Sequence, residues 1–199
     1  MMSRSRRSGF TLIELLVAVA IFGVMAGGLT VFYGMVFGSQ YRKFADLTVA
    51  NGATFVRRAF DSAMGSATYI QDPAPPLPVS ASYLTVWTNR DVDGSTSLVT
   101  TVTPQFSYLC CTPAGACTQI YLYQGSAAVP GNCGDAPAAG VTRTLLVGGP
   151  GFQSASLAFY RPDPNLVQMK CGITLTDKRG LKHSVELWTQ AVMSANGQK

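Results

Sequence analysis

Ser8-Gly9-Phe10-Thr11-Leu12-Ile13-Glu14 closes a short basic leader and opens an apolar run. The reading of this junction decides how the rest of the chain is organised. From Leu15 to Phe37 no side chain is charged. Roughly 20 apolar residues span a bilayer as a helix, so the run is long enough to cross one. Arg4, Arg6 and Arg7 precede it together with the α-amino group, and Arg42 and Lys43 follow. That bias predicts a cytoplasmic N-terminus and puts everything after about Gln40 on the other side.

Glu14 stands at the edge of this run, where a carboxylate carried to mid-bilayer costs about 2.5–3.5 kcal/mol. Two readings are open. The side chain reaches water at the headgroup layer, or it is an intramembrane acid with a cationic partner, for which an amine in the same layer is the nearest candidate.

Gly9-Phe10-Thr11-Leu12-Ile13-Glu14-Leu15-Leu16-Val17-Ala18 resembles the class III signal of type IV prepilins and type II secretion pseudopilins. The resemblance implies that a prepilin peptidase cuts after Gly9 on the cytoplasmic side and methylates the new N-terminus, Phe10. Such a cut precedes the apolar segment and leaves it attached, unlike the removal of an ordinary secretory signal. It further implies that Glu14 pairs with the N-terminal amine of a neighbouring subunit during filament assembly. No proline occurs before Pro73, whereas major pilins often carry a helix-breaking one, and this leans toward a minor subunit or a pseudopilin.

The expected organisation is a cleaved leader (1–9), a hydrophobic transmembrane and polymerisation helix (10–38), an amphipathic half of the same helix (39–70) and a globular β-domain (71–199) with a variable loop region at 105–150. The fold class is α+β and pilin-like, a long N-terminal helix packed on an antiparallel sheet. In the second half of the helix Phe44, Leu47, Phe55, Ala59, Phe60, Ala63 and Met64 recur at helical spacing, and this stripe is expected to cover the sheet of its own domain. Gly23-x-x-x-Gly27, Gly34-x-x-x-Gly38 and Ala18-x-Ala20 are either helix–helix contact points or places where the helix loosens. The prolines of Asp72–Pro78 are expected to end it.

Tyr83–Thr88 and Ser97–Thr103 read as strands, rich in β-branched and aromatic residues. Between them Asn89, Asp91, Asp93 and Gly94 match the first half of a calcium loop whose bidentate acid is missing, because Thr100 stands there. Asp93-Gly94 is also a standard turn. Short strands are expected at Phe106–Cys110 and Gln119–Tyr123. The cleanest pattern comes last. Leu157 and Phe159 lie in one strand, and Val167, Met169, Cys171, Ile173 and Leu175 alternate with polar residues in the next. Val185 and Leu187 follow in a third, giving a three-stranded antiparallel meander with one buried face.

Charge and cysteines narrow the compartment and the chemistry. The formal charge is +5, but removing Arg4, Arg6 and Arg7 leaves twelve basic against ten acidic residues, +2. That gives no strong case for nucleic acid as an obligate partner. Cysteines in Gly/Pro-rich loops outside the cytoplasm read as disulfides. Cys171, on the apolar face of a strand, reads as a buried free thiol. A bond between adjacent Cys110 and Cys111 would be strained. Two schemes remain open: Cys110–Cys117 with Cys111–Cys133, or Cys110–Cys133 with Cys111–Cys117. A four-cysteine zinc site is the sharper alternative, but the spacing lacks paired knuckles.

The single histidine, His183, adjoins Ser184 on a strand, where neighbours point to opposite faces, so the two form no nucleophile–base pair. No enzymatic activity and no cofactor are expected. Lys178, Arg179 and Lys182, with His183, make a basic hairpin tip, either a DNA contact or a solvated turn. The leading expectation is a minor pilin of a type IV pilus, serving filament initiation or decoration and through it adhesion, motility or DNA uptake. Its partners would be other pilin subunits, the prepilin peptidase and the inner-membrane assembly platform. It would sit in the inner membrane as a single-pass protein with a periplasmic C-terminal domain, and in a surface filament after assembly. The alternatives are a minor pseudopilin of type II secretion and, from another class, a membrane-anchored adhesion or DNA-receptor module that does not polymerise.

Overall fold

The computed structural model describes residues 11–74, 80–91, 93–113, 117–149, 152–177 and 180–193. One helix, α1 (Leu12–Ser66), is followed by eight strands: β1 (Tyr69–Asp72), β2 (Tyr83–Thr88), β3 (Gln105–Thr112), β4 (Gln119–Gly125), β5 (Val141–Val147), β6 (Phe152–Asp163), β7 (Leu166–Thr176) and β8 (Lys182–Val192). The chain divides into two compact units, Met1–Phe44 and Ala45–Lys199.

Within the second unit the strands form two antiparallel sheets, one of order β1-β2-β3-β4-β5 and one of order β6-β7-β8. This is a mixed α+β architecture, as the pilin resemblance implies. One hydrophobic core joins Val49, Val56, Phe60 and Met64 of α1 to Leu84, Leu109 and Ile120 of the larger sheet and to Phe159, Met169 and Ile173 of the smaller. Phe60 stacks on Phe159 with ring centroids 6.2 Å apart. A Cβ on Gly52 would meet Val147 at 3.3 Å and Ile173 at 3.4 Å, so the helix backbone runs close to both sheets.

The buried stripe of α1 differs from the expected one. It runs Ala45, Val49, Ala53, Val56, Phe60, Ala63, Met64 and Ala67, while Phe44, Leu47 and Phe55 are exposed. Steps of three and four from Phe60 lead back to small residues, and the closeness of the sheets selects that face over the one carrying the larger side chains.

The helix ends at Ser66, close to the expected end at about Ala67, and β1 lies between it and the prolines. Two further corrections concern the strands. Ser97–Thr103 is not a strand. Both edges of β2 are already taken by β1 and β3, so the segment has no ladder to join. Instead Asn89, in a left-handed conformation (φ 55°), holds it as a loop. The Asn89 carboxamide donates to the carbonyls of Val99 and Val102 and accepts from the Val99 N–H at 2.7 Å. Finally, the 105–150 region is more regular than expected, because β5 completes the sheet from within it.

The cysteines follow the alternation of β3. Cys110 faces an aromatic cluster of Trp87, Phe106, Tyr108 and Tyr123, and Cys111 faces the main core. The pairing is Cys110–Cys133 and Cys111–Cys117. The first bond fastens the 126–140 loop over the aromatic cluster, where Ala127 and Val129 also pack. The Tyr123 hydroxyl donates to Asp135 O at 2.9 Å beneath the same loop. Burial and the neighbouring Tyr83 and Tyr123 push the Tyr108 hydroxyl up to about 12. Cys171 is buried and free, its thiol pushed up to about 12 by burial, which makes it inert.

Candidate functional site

The candidate site is the N-terminal part of α1. Thr11 is its N-cap. The Glu14 carboxylate, three residues on, accepts from the Thr11 backbone N–H and from the Thr11 hydroxyl, both at 2.9 Å. This is the carboxylate half of a capping box, the N3 acid reaching back to the N-cap N–H, with the N-cap hydroxyl donating to the same oxygen. The signal for it, Thr-x-x-Glu ahead of an apolar run, is present in the sequence and the sequence reading passed over it. Glu14 therefore has a partner within its own chain. A carboxylate can accept about four hydrogen bonds, so capacity for a second cationic partner remains.

Beyond Glu14 the helix is apolar around its whole circumference. Its most apolar stretch has a mean hydropathy of 2.4 and buries none of itself against the chain. Leu12, Ile13, Phe22, Val24, Met25 and Met35 are each more than 60% exposed. The few polar side chains are satisfied locally. The Thr30 hydroxyl donates to Gly27 O at 2.8 Å and the Ser39 hydroxyl to Val36 O at 2.8 Å. Such a segment costs nothing in unmet hydrogen bonds when moved out of water. A Cβ at Gly23, Gly27, Gly28 or Gly34 would touch nothing in this chain. The surface suits lipid or the apolar helices of other chains.

Other sequence-derived sites fare differently. Gly9 and Phe10 lie outside the described residues, as do Lys178 and Arg179. Lys182 is exposed at the start of β8. His183 turns away from the hairpin surface. Its Nδ1 lies 2.7 Å from the Asp46 carboxylate of α1 and its Nε2 3.6 Å from that of Asp177. The hydrogen bond with Asp46 raises its pKa, opposed by burial. It is thus a tie between helix and hairpin. Ser184 is on the opposite, exposed face. The Asn89 side chain is committed to Val99 and Val102, and the Asp93 carboxylate accepts from the Ser95 N–H at 2.9 Å and its hydroxyl at 2.7 Å. No group of three acidic, His or Cys side chains suited to a metal occurs among the described residues.

Residues 4–30 match the prokaryotic N-terminal methylation motif, the hallmark of type IV prepilin-like proteins. Neither a curated protein nor a solved structure gives a significant match. The motif supports a type IV pilin or pseudopilin-like protein, a substrate of prepilin peptidase acting in a pilin-assembly context, and the long apolar helix fits a membrane anchor.

Proposed function

We propose that the chain is a minor pilin of a type IV pilus, a structural subunit without catalytic activity. The single observation that carries this reading is the pairing of the methylation motif at residues 4–30 with a helix whose most apolar stretch buries nothing against its own chain. Before assembly the helix rests in the inner membrane, N-terminus cytoplasmic and C-terminal domain periplasmic, a topology supported by the positive charges ahead of it. Cleavage after Gly9 frees the amine of Phe10, which is then methylated. In the filament the helix exchanges lipid for the apolar helices of other pilin subunits. The Glu14 carboxylate, keeping its bond to Thr11, takes the amine of an adjacent subunit as its cation. A buried acid paired in this way loses far more when its partner is removed than a solvated one does.

Mass spectrometry of the protein recovered from cells is expected to show N-methylated Phe10 as the first residue. Met1 still in place would overturn the reading. Glu14→Ala is expected to abolish incorporation into filaments while the protein stays in the membrane fraction. Unimpaired incorporation would remove the cross-subunit role, and a non-polymerising anchored module would keep its surface activity. A deletion strain is expected to lose or alter its pili. Loss of protein secretion with pili intact would favour a pseudopilin.

A further inference from the structure

The middle of the outward face of the β6-β7-β8 sheet is built of the cross-strand rows Ser154/Thr174/Ser184, Ser156/Gly172/Glu186, Ala158/Lys170/Trp188 and Tyr160/Gln168/Gln190, with Thr176/Lys182 beyond one end and Leu166/Val192 beyond the other. From Ser154 to Tyr160 the face runs about 20 Å. Its central large apolar residue, Trp188, is 58% exposed, and the smaller Val192 lies beyond the Gln168/Gln190 row. A wet sheet face has no need of a tryptophan, and this one is held in place. The Tyr160 ring lies nearly parallel to it, 12° apart with centroids at 6.2 Å. The Lys170 ammonium sits 4.9 Å from its ring centroid and is itself ion-paired with Glu186. Gln168 and Gln190 set their amides beside the indole, bordering a depression of about 300 Å³. Along the sheet a second depression, about 370 Å³, is edged by the hydroxyls of Ser154, Ser156, Thr174 and Ser184. Its floor is Gly172, where a Cβ would come within 2.6 Å of Ser156 Oγ.

We infer that this face binds a neutral polysaccharide. A pyranose offers one face of C–H groups, which stacks on an aromatic plane, and a rim of hydroxyls that both donate and accept. The sheet supplies the matching set: a fixed aromatic pair at one end, and amides, hydroxyls and a compensated Lys–Glu pair alongside. Exposed aromatic area with a few convergent polar groups is the general composition of a small-ligand site. The charge balance decides against other ligands. Lys170 is neutralised by Glu186, and Lys182 stands apart at the hairpin end of the face, whereas a nucleic-acid surface needs uncompensated cations over several phosphates. A protein-docking core would need contiguous apolar anchors around Trp188; its neighbours across the sheet are Lys170 and Ala158, and the polar Gln168/Gln190 row separates it from Val192 and Leu166. Pre-ordering of the indole by Tyr160 and Lys170 lowers the entropy lost on binding. The inference concerns the β-domain and holds whether or not the chain polymerises.

The test uses the full chain in a phosphocholine detergent, since detergents with sugar headgroups would compete. Cellohexaose and N-acetylchitohexaose are titrated while tryptophan fluorescence is read. Trp87 is buried, with its Nε1–H donating to Gln71, so Trp188 is the responsive fluorophore. The expected result is a saturable change with at least one of the two sugars, insensitive to salt between about 50 and 500 mM. Retention on particulate cellulose or chitin is expected to agree. Trp188→Ala, read by retention, is expected to weaken binding roughly tenfold or more, the loss of one stacking contact. Ser156→Arg, at an exposed position that fills the hydroxyl-lined depression, is expected to weaken it with the indole intact and the thermal unfolding midpoint unchanged. No saturable response to either sugar, retention unaffected by both substitutions, or binding only of duplex DNA with steep salt dependence would each overturn the inference.

Discussion

Between Leu12 and Phe44, α1 turns Leu, Ile, Val and Phe outward on every side; between Ala45 and Ser66 the same helix exposes Leu47 and Phe55 but hides Val49, Val56 and Phe60. Both stretches are helical and both are rich in apolar residues. What separates them is where the covering surface comes from. The second half is covered by sheets encoded later in the same chain. The first has no such cover, so its apolar surface must be met by a bilayer or by other chains. The difference teaches that hydrophobicity alone does not mark the core of this protein, since Phe22 is more apolar than Ala53 and far more exposed.

The most direct way to break the comparison is to truncate one phenylalanine in each half. Phe60→Ala removes a fully buried ring in contact with Phe159 and is expected to cost about 3–5 kcal/mol in denaturant unfolding of the detergent-solubilised chain. Phe22→Ala is expected to change the same measurement by less than about 0.5 kcal/mol. Equal losses would mean that the two halves share a core. The disulfides sharpen the picture of the second half. Cys110–Cys133 closes a separation of 23 residues and Cys111–Cys117 one of 6. On chain entropy, replacing each pair by serines is expected to cost about 3 and about 2 kcal/mol respectively. The reverse order in equilibrium unfolding would show that the lid over the aromatic cluster contributes less than its closure suggests.

How much of this was legible varied with the physics of each segment. The β6-β7-β8 meander was plain, because strict alternation such as Val167, Met169, Cys171 and Ile173 can be satisfied only by a sheet with one buried face. The anchor and its junction were equally plain from charge and length. Ser97–Thr103 misled because β-branched residues fit a strand only if an edge is vacant, and the occupancy of β2 is a property of the whole sheet. The stripe of α1 misled because Ala45, Gly52 and Ala53, which help line its buried face, carry little hydrophobic signal. The disulfide pairing could not be chosen from spacing. It follows from the opposite orientation of Cys110 and Cys111 and from the fold of the 126–140 loop over one side. The tie between Asp46 and His183 spans most of the chain and has no local signature at all.

Gly52 gives a narrower comparison within one helix. Val in its place would push against Val147 and Ile173, and Gly52→Val is expected to lose about 1–3 kcal/mol to overpacking. Gly27→Val, at a position open to its surroundings, is expected to leave the unfolding of the β-domain unchanged. A stabilised Gly52→Val would mean that helix propensity outweighs packing there, and that α1 stands farther from the sheets.

The smallest effect is expected at His183, and there the sign carries the information. Its pKa is raised, chiefly by the Asp46 hydrogen bond and further by Asp177, with burial opposing. These two carboxylates face the imidazole from α1 and from the start of the β7–β8 turn. A base whose folded pKa exceeds its unfolded value, about 6.5, contributes its full stabilisation below that value and loses it as pH rises through the folded pKa. Melting temperatures of the wild-type chain and of His183→Gln, followed from about pH 5 to 9, are therefore expected to differ most at the acid end and to converge toward the alkaline end. Asp46→Asn should flatten the dependence as well, because it removes the principal cause of the shift. A gap that widens with pH would mean that the imidazole is neutral in the folded protein, and that helix and hairpin are joined by a hydrogen bond without charge.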